Sequence, residues 1–249
     1  MWTRAQLKQN AKDVLRNNYW MAFLVSLVAG ILYGSGGGAS GSGGVHVNVS
    51  NGTIHHTTIE PETATVLMLA VFVVAALAFL LGLAYSFFVS GPIQVGKNRY
   101  YLESREVKSS FGKLFYAFSH NYLSGAAAMF VTNLFIGLWS LLFIVPGIIK
   151  GLAWSQVPYL LAENPGMSGA RARELSARMT DGHKWNIFVL QLSFLGWLLL
   201  GSLACGVGAL FVSPYVEATF AELYTTLRGN ALENGWAAPE ELPGVACNA

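Results

Sequence analysis

The sequence predicts an all-α, polytopic helical membrane bundle of about six transmembrane helices, two of them short, with amphipathic surface helices and a small extracytoplasmic β-hairpin. Three observations predict it. Of 249 residues, 53% are hydrophobic and only 11% charged, whereas soluble domains carry roughly 25% charged residues. The mean hydropathy is +0.46. The few charges fall in short clusters that separate long charge-free stretches, and about 20 consecutive apolar residues are what a bilayer crossing requires.

The same composition narrows the function classes. A net charge of +2 with scattered basic residues gives no nucleic-acid footprint, so no nucleic-acid partner is expected. Cys205 and Cys247 show neither metal-ligand spacing nor a disulfide framework, and no cofactor is expected.

Taken in order, residues 1–18 read as an amphipathic cytoplasmic helix beginning at Thr3. Arg4, Lys8, Lys12 and Arg16 recur every fourth position beside an apolar stripe of Leu7, Ala11, Val14 and Leu15. Such a helix lies on an anionic leaflet or stands solvated before the first crossing. Four long apolar spans follow at 19–33, 64–90, 122–145 and 185–212. Two shorter ones, 147–162 and 214–227, are about 22 to 24 Å long at 1.5 Å per residue.

Basic residues decide the topology. If 147–162 crosses, every Lys and Arg except Lys150 lies on one side, with both termini in the cytoplasm. A reporter fused after Lys184 is then expected to read as cytoplasmic. Trp20 and Trp185 mark the membrane boundary. A second amphipathic helix spans 168–179, with Ala172, Leu175 and Met179 opposite Arg171, Glu174 and Arg178; Asn164-Pro165-Gly166 opens it and Gly182 closes it.

Residues 34–63 form a Gly/Ser-rich extracytoplasmic loop. Within it, Val45, Val47 and Val49 alternate with polar residues ahead of Asn51-Gly52, the pattern of a hairpin. The chain therefore reads as one integral membrane domain, 1–232, and a disordered tail, 233–249.

Several motifs match a pattern without its context. Gly36, Gly38 and Gly41 fit G-x-G-x-x-G but lack the flanking strand and helix of a dinucleotide site. The Ser40 and Ser168 tetrapeptides resemble an intramembrane serine nucleophile, yet both lie in loops and no span holds a histidine. His46 and His55 share one face of the hairpin and His56 the other, which prevents their convergence on a metal. Asn48 and Asn51 open glycosylation tripeptides, which matter only in a host that glycosylates such loops.

More informative are Lys150, Glu163, Glu217 and Glu222, ionisable groups inside or bordering apolar spans, where charge is costly and faces a partner or water. They are the candidate intramembrane polar site. Lys150 and Glu217 fall near the outer boundary and are expected to pair, with Glu222 deeper. The alternative is structural pairing on an interfacial helix. Gly30-xxx-Gly34, Gly147-xxx-Gly151, Gly201-xxx-Cys205 and Ala204-xxx-Gly208 supply small-residue faces for helix contact.

The stretches MWTRAQLKQNAKDVLRNNYW, SGPIQVGKNRYYLESREV, LWSLLFIVPGIIKGLAWSQVPYLLAENP, DGHKWNIFVLQLSFLGWLLL and VSPYVEATFAELYTTL resemble an uncharacterised bacterial family of multi-pass membrane proteins, domain of unknown function nine-seven-five. The resemblance implies an all-helical fold in the cytoplasmic membrane and brings no catalytic residues. The block around Pro146-Gly147, Glu163, Arg173 and Gly182 to Trp185 also distantly resembles the membrane domain attached to some glycerophosphodiester phosphodiesterases. That family's catalytic domain has no counterpart here.

The functional expectation is a non-catalytic membrane component, not an enzyme, that has the lipid bilayer and other membrane proteins as partners. It expects Glu222→Gln to be tolerated. The alternative is a small transporter or transporter accessory subunit, with helices broken at Pro146-Gly147 and Ser213-Pro214 beside a substrate site. That reading expects changes at Lys150 or Glu222 to abolish a flux in a protein that still folds.

Overall fold

A computed structural model describes residues 2–37, 61–106, 109–119, 121–203 and 207–245. Ten α-helices follow in these segments: α1 (Arg4–Gly37), α2 (Pro61–Tyr85), α3 (Gly91–Glu103), α4 (Tyr116–Ser119), α5 (Tyr122–Leu142), α6 (Ile144–Ala153), α7 (Val157–Glu163), α8 (Gly169–Met179), α9 (Lys184–Leu203) and α10 (Val207–Glu233). No strand occurs among the described residues. The expected hairpin with His46, His55 and His56, and also Cys205 and Cys247, lie outside them.

Two regions with different surroundings make up the protein. One is a helical body centred on α3, whose Ile93, Val95, Tyr100, Tyr101 and Leu102 are buried among α1, α5, α7 and α10. The other is a set of apolar helical segments whose side chains stand exposed. Two helices are long and apolar enough to cross a membrane, 68–103 and α5, or three if the bent α1 is one span. Six crossings were expected. The short ones at 147–162 and 214–227 instead contribute largely to the body, because Leu160, Leu161, Ala162, Ala221, Leu223, Tyr224 and Leu227 are buried against other helices.

The bend in α1 follows from its sequence. Asn18 leaves helical geometry (φ −132°, ψ 20°) and the two arms meet at 102°. The first arm buries Leu7, Ala11 and Leu15, the expected apolar stripe, against protein rather than lipid. Beyond the bend Trp20 is exposed, as is Trp185 at the start of α9.

A π-helical turn, Ser86–Ser90, joins α2 to α3, with the Gly91 N–H bonded back to the Ser86 carbonyl. Pro92 explains it: without an N–H it cannot serve the carbonyl of Phe88. The Tyr122 hydroxyl donates to that orphaned carbonyl at 2.6 Å and so satisfies it.

Helix α5 ends at the extended Phe143 (φ −150°, ψ 125°), and α6 turns back along it with Pro146 in its first turn, where proline is tolerated. The two pack closely because a Cβ at position 147 would meet the Ser140 Cα at 2.6 Å. A second break at Trp154–Gln156 leads into α7. Asn121, before α5, and Asn164, after α7, line one cleft, so the excursion returns to its level of origin. Helix α6 runs unbroken through Pro146-Gly147 and α10 through Ser213-Pro214, so neither expected break exists.

Helix α8 begins where expected: the Ser168 hydroxyl caps it by accepting from the Arg171 N–H at 3.3 Å. Its predicted face, Ala172, Leu175 and Met179, is buried. The expected disordered tail is a second correction. Residues 234–245 pack on the body, burying Ala237, Leu242 and Val245.

Candidate functional site

An ion-paired belt ties α3 to α7, α10 and the tail. Lys97 meets Glu217 at 2.6 Å, and Arg105, just past α3, meets Glu222 at 2.5 Å, with Asn10 of α1 donating to the same carboxylate at 3.4 Å. Arg99 sits at its centre, wholly enclosed. Its guanidinium donates to Glu103 at 2.7 Å, to the Ala162 carbonyl at 3.0 Å and to the Val245 carbonyl at 2.9 Å, and lies 4.6 Å from the Tyr116 ring centre. Lys113 supports Glu103 from the other side at 3.1 Å.

Glu163, ending α7, is the second node. It accepts from Arg228 at 2.7 Å, the Tyr224 hydroxyl at 2.6 Å and the Gly244 N–H at 2.8 Å. Tyr224 is stacked on Tyr159, their ring centres 5.4 Å apart. Arg228 donates to the Leu242 carbonyl and Asn164 to the Glu241 carbonyl. The tail is thus held largely through its main chain.

Of the four candidate residues, Glu163, Glu217 and Glu222 come together in this belt. Lys150 does not: its Nζ lies 5.4 Å from the Trp154 ring centre, and Glu217 pairs with Lys97 instead. The expected Lys150–Glu217 pair is therefore absent, because α6 and α10 place these residues against different neighbours. The basic half of the site, Lys97, Arg99, Arg105 and Arg228, was read from sequence only as a topology signal. The i,i+4 spacing of Arg99 and Glu103 was the one local sign of pairing.

Chemically, the belt neutralises charge. A cavity of about 40 Å³ bordered by Glu163, Tyr224 and Arg228 has room for one or two waters. Among the described residues no group of three or more metal-ligating side chains converges.

On the rim of the body Arg171 grips Glu241 with two bonds, 2.9 and 3.0 Å, and donates to the Trp236 carbonyl at 2.8 Å. The Arg171 hydrogen bonds hold the Glu241 carboxyl below the ordinary carboxylate range; partial burial opposes this, and the Ala238 N–H adds to it. A carboxylate depressed on folding stabilises the docked tail above its unfolded value of about 4.3, and that contribution is lost as pH falls through the folded value. For a half-exposed pair it is under about 1 kcal/mol. Hydrogen-exchange protection of 236–245 is expected to fall below about pH 4 while that of 91–103 holds; unchanged tail protection at pH 3 contradicts this.

Fold and belt define an all-helical protein with two to three helices long and apolar enough to cross a membrane. Residues 144–231, from α6 to near the end of α10, match the family described as a protein of unknown function, DUF975. The match contains all four candidate residues together with Tyr224 and Arg228, while Lys97, Arg99 and Arg105 precede it. No curated protein and no solved structure matches the chain.

Proposed function

We propose that the chain is a multi-pass integral membrane protein of the cytoplasmic membrane, without catalytic chemistry of its own, that acts by binding lipid and other membrane proteins. The observation that carries this reading is the contrast between the two regions. The most apolar window of 68–103 has no residue buried inside the protein, and Val66, Met68, Phe72, Leu77, Phe79 and Leu81 are exposed on every side of α2. A helix apolar all round belongs in lipid or against a partner. The carboxylates Glu163, Glu217 and Glu222, by contrast, are engaged by cations within the body.

The return of the α5–α7 excursion to its starting level supports placing the basic residues of 97–113 and 171–184 on one side of the membrane. By the positive-inside bias that side is the cytoplasm.

The test is mild-detergent purification of the full chain from its native membrane, with mass spectrometry of co-purifying protein and lipid. A stoichiometric protein or a defined retained lipid is expected. A chain recovered in the soluble fraction, or a purified chain that moves a solute across a vesicle wall, overturns the reading. Glu222→Gln is expected to lower stability by about 1–2 kcal/mol by weakening the Arg105 contact, with co-purification unchanged; loss of the co-purifying partner from the folded variant speaks against the structural role.

A further inference from the structure

Because the first arm of α1 buries Leu7, Ala11 and Leu15 inside the protein, its basic stripe is turned outward: Arg4, Lys12 and Arg16 are exposed and Lys8 half-buried. None of these four cations is in an ion pair among the described residues. The nearby carboxylate on the same helix, Asp13, accepts from Gln9.

An open cleft of about 580 Å³ lies at the start of the stripe, lined by Trp2, Thr3, Arg4, Lys8, Asn186 and Ser193. Its lining is rich in donors and holds no carboxylate. Lys8 spends one N–H on the Ser193 hydroxyl at 2.9 Å and packs 4.4 Å from the Phe194 ring centre, which leaves two ammonium hydrogens. The Trp2 indole N–H is buried with no acceptor. A tetrahedral oxyanion in the cleft offers acceptors to the ammonium and the guanidinium that line it.

The cleft adjoins an apolar surface. Helix α9 buries Ile187, Leu190 and Phe194, while Trp185, Leu192, Leu195, Trp197 and Leu199 on its other side are exposed. A phosphate held by Arg4 and Lys8 therefore has a path for hydrocarbon beside it. We propose that this cleft is a binding site for a phosphate-bearing anion, supplied by the headgroup of an anionic phospholipid whose acyl chains run along the exposed side of α9. The inference rests on the membrane reading above and gives its lipid partner a chemical class.

The experiment places the full chain in phosphatidylcholine nanodiscs, with and without phosphatidylglycerol, and reads retained lipid by native mass spectrometry and thermal stability by its midpoint. One retained phosphatidylglycerol per chain and a raised midpoint are expected. Lys8→Gln and Arg4→Gln are each expected to weaken retention roughly tenfold, as for loss of a charged hydrogen bond. Lys8→Arg keeps it, and Arg16→Gln, outside the cleft, leaves it unchanged.

Equal losses for Arg16→Gln and Lys8→Gln mean diffuse surface attraction and overturn the site. If inorganic phosphate raises the midpoint in phosphatidylcholine discs through Lys8 while phosphatidylglycerol is not retained, the anion is a soluble phosphate and the lipid source is overturned. No response to either overturns the site altogether, in a chain that still sits in the disc. A chain that fails to enter the disc overturns the membrane reading itself.

Discussion

Arg99→Ala is expected to destabilise the helical body by about 3–5 kcal/mol, the range for removing one partner of a buried charged network. The side chain is fully enclosed, so no solvent replaces it. Its loss leaves the carbonyls of Ala162 and Val245 without their donor, and among the described residues Glu103 retains Lys113 and Ser109. Arg99→Lys keeps the charge but has no fork to reach Glu103, Ala162 and Val245 at once, so it is expected to recover less than half the loss. Thermal unfolding of the purified chain measures both. A midpoint for Arg99→Ala within about 2 °C of the parent would falsify the central role given to this residue.

Gly96→Ala is expected to be as severe for a different reason. A Cβ at this position would stand 1.9 Å from the Leu114 carbonyl oxygen and 2.6 Å from its carbon. Both are backbone atoms, so no rotamer relieves the clash. Helix α3 and the 3₁₀ turn Phe111–Phe115 must move apart, at a cost above the roughly 1–3 kcal/mol of ordinary overpacking. Folded yield by size-exclusion chromatography is the readout. Gly82→Ala, where nothing lies within 4 Å of the new methyl, is the control, expected to be neutral. Equal yields for the two variants would remove the close approach from the account.

What the sequence disclosed depended on whether the information was carried by side-chain periodicity. The N-terminal helix and α8 were legible because Leu7, Ala11 and Leu15, and Ala172, Leu175 and Met179, recur at helical spacing. Glu163, Glu217 and Glu222 stood out because charge in an apolar run demands a partner. Their partners did not, since Lys97, Arg105 and Arg228 look the same in one dimension whether they are solvated or paired across helices.

The burial of much of 147–162 and 214–227 against other helices was not legible, because an apolar run does not say whether its surroundings are lipid or protein. Docking of 234–245 was invisible for another reason. The body grips that segment at the carbonyls of Glu241, Leu242 and Val245 and at the N–H of Gly244, groups that every residue type but proline possesses in full.

The separation along the chain between Arg99 and Val245, 146 positions, bears on how the protein is assembled. Synthesis delivers the guanidinium long before the carbonyl that helps to hold it, and a shorter delay, 81 positions, separates Glu163 from Gly244. Contacts of such range form late because their loop-closure entropy comes first. Formation of the apolar helices and completion of the charged core are then successive events. Until residues 242–245 arrive, Arg99, Arg228 and Glu163 lack the main-chain partners that complete the belt.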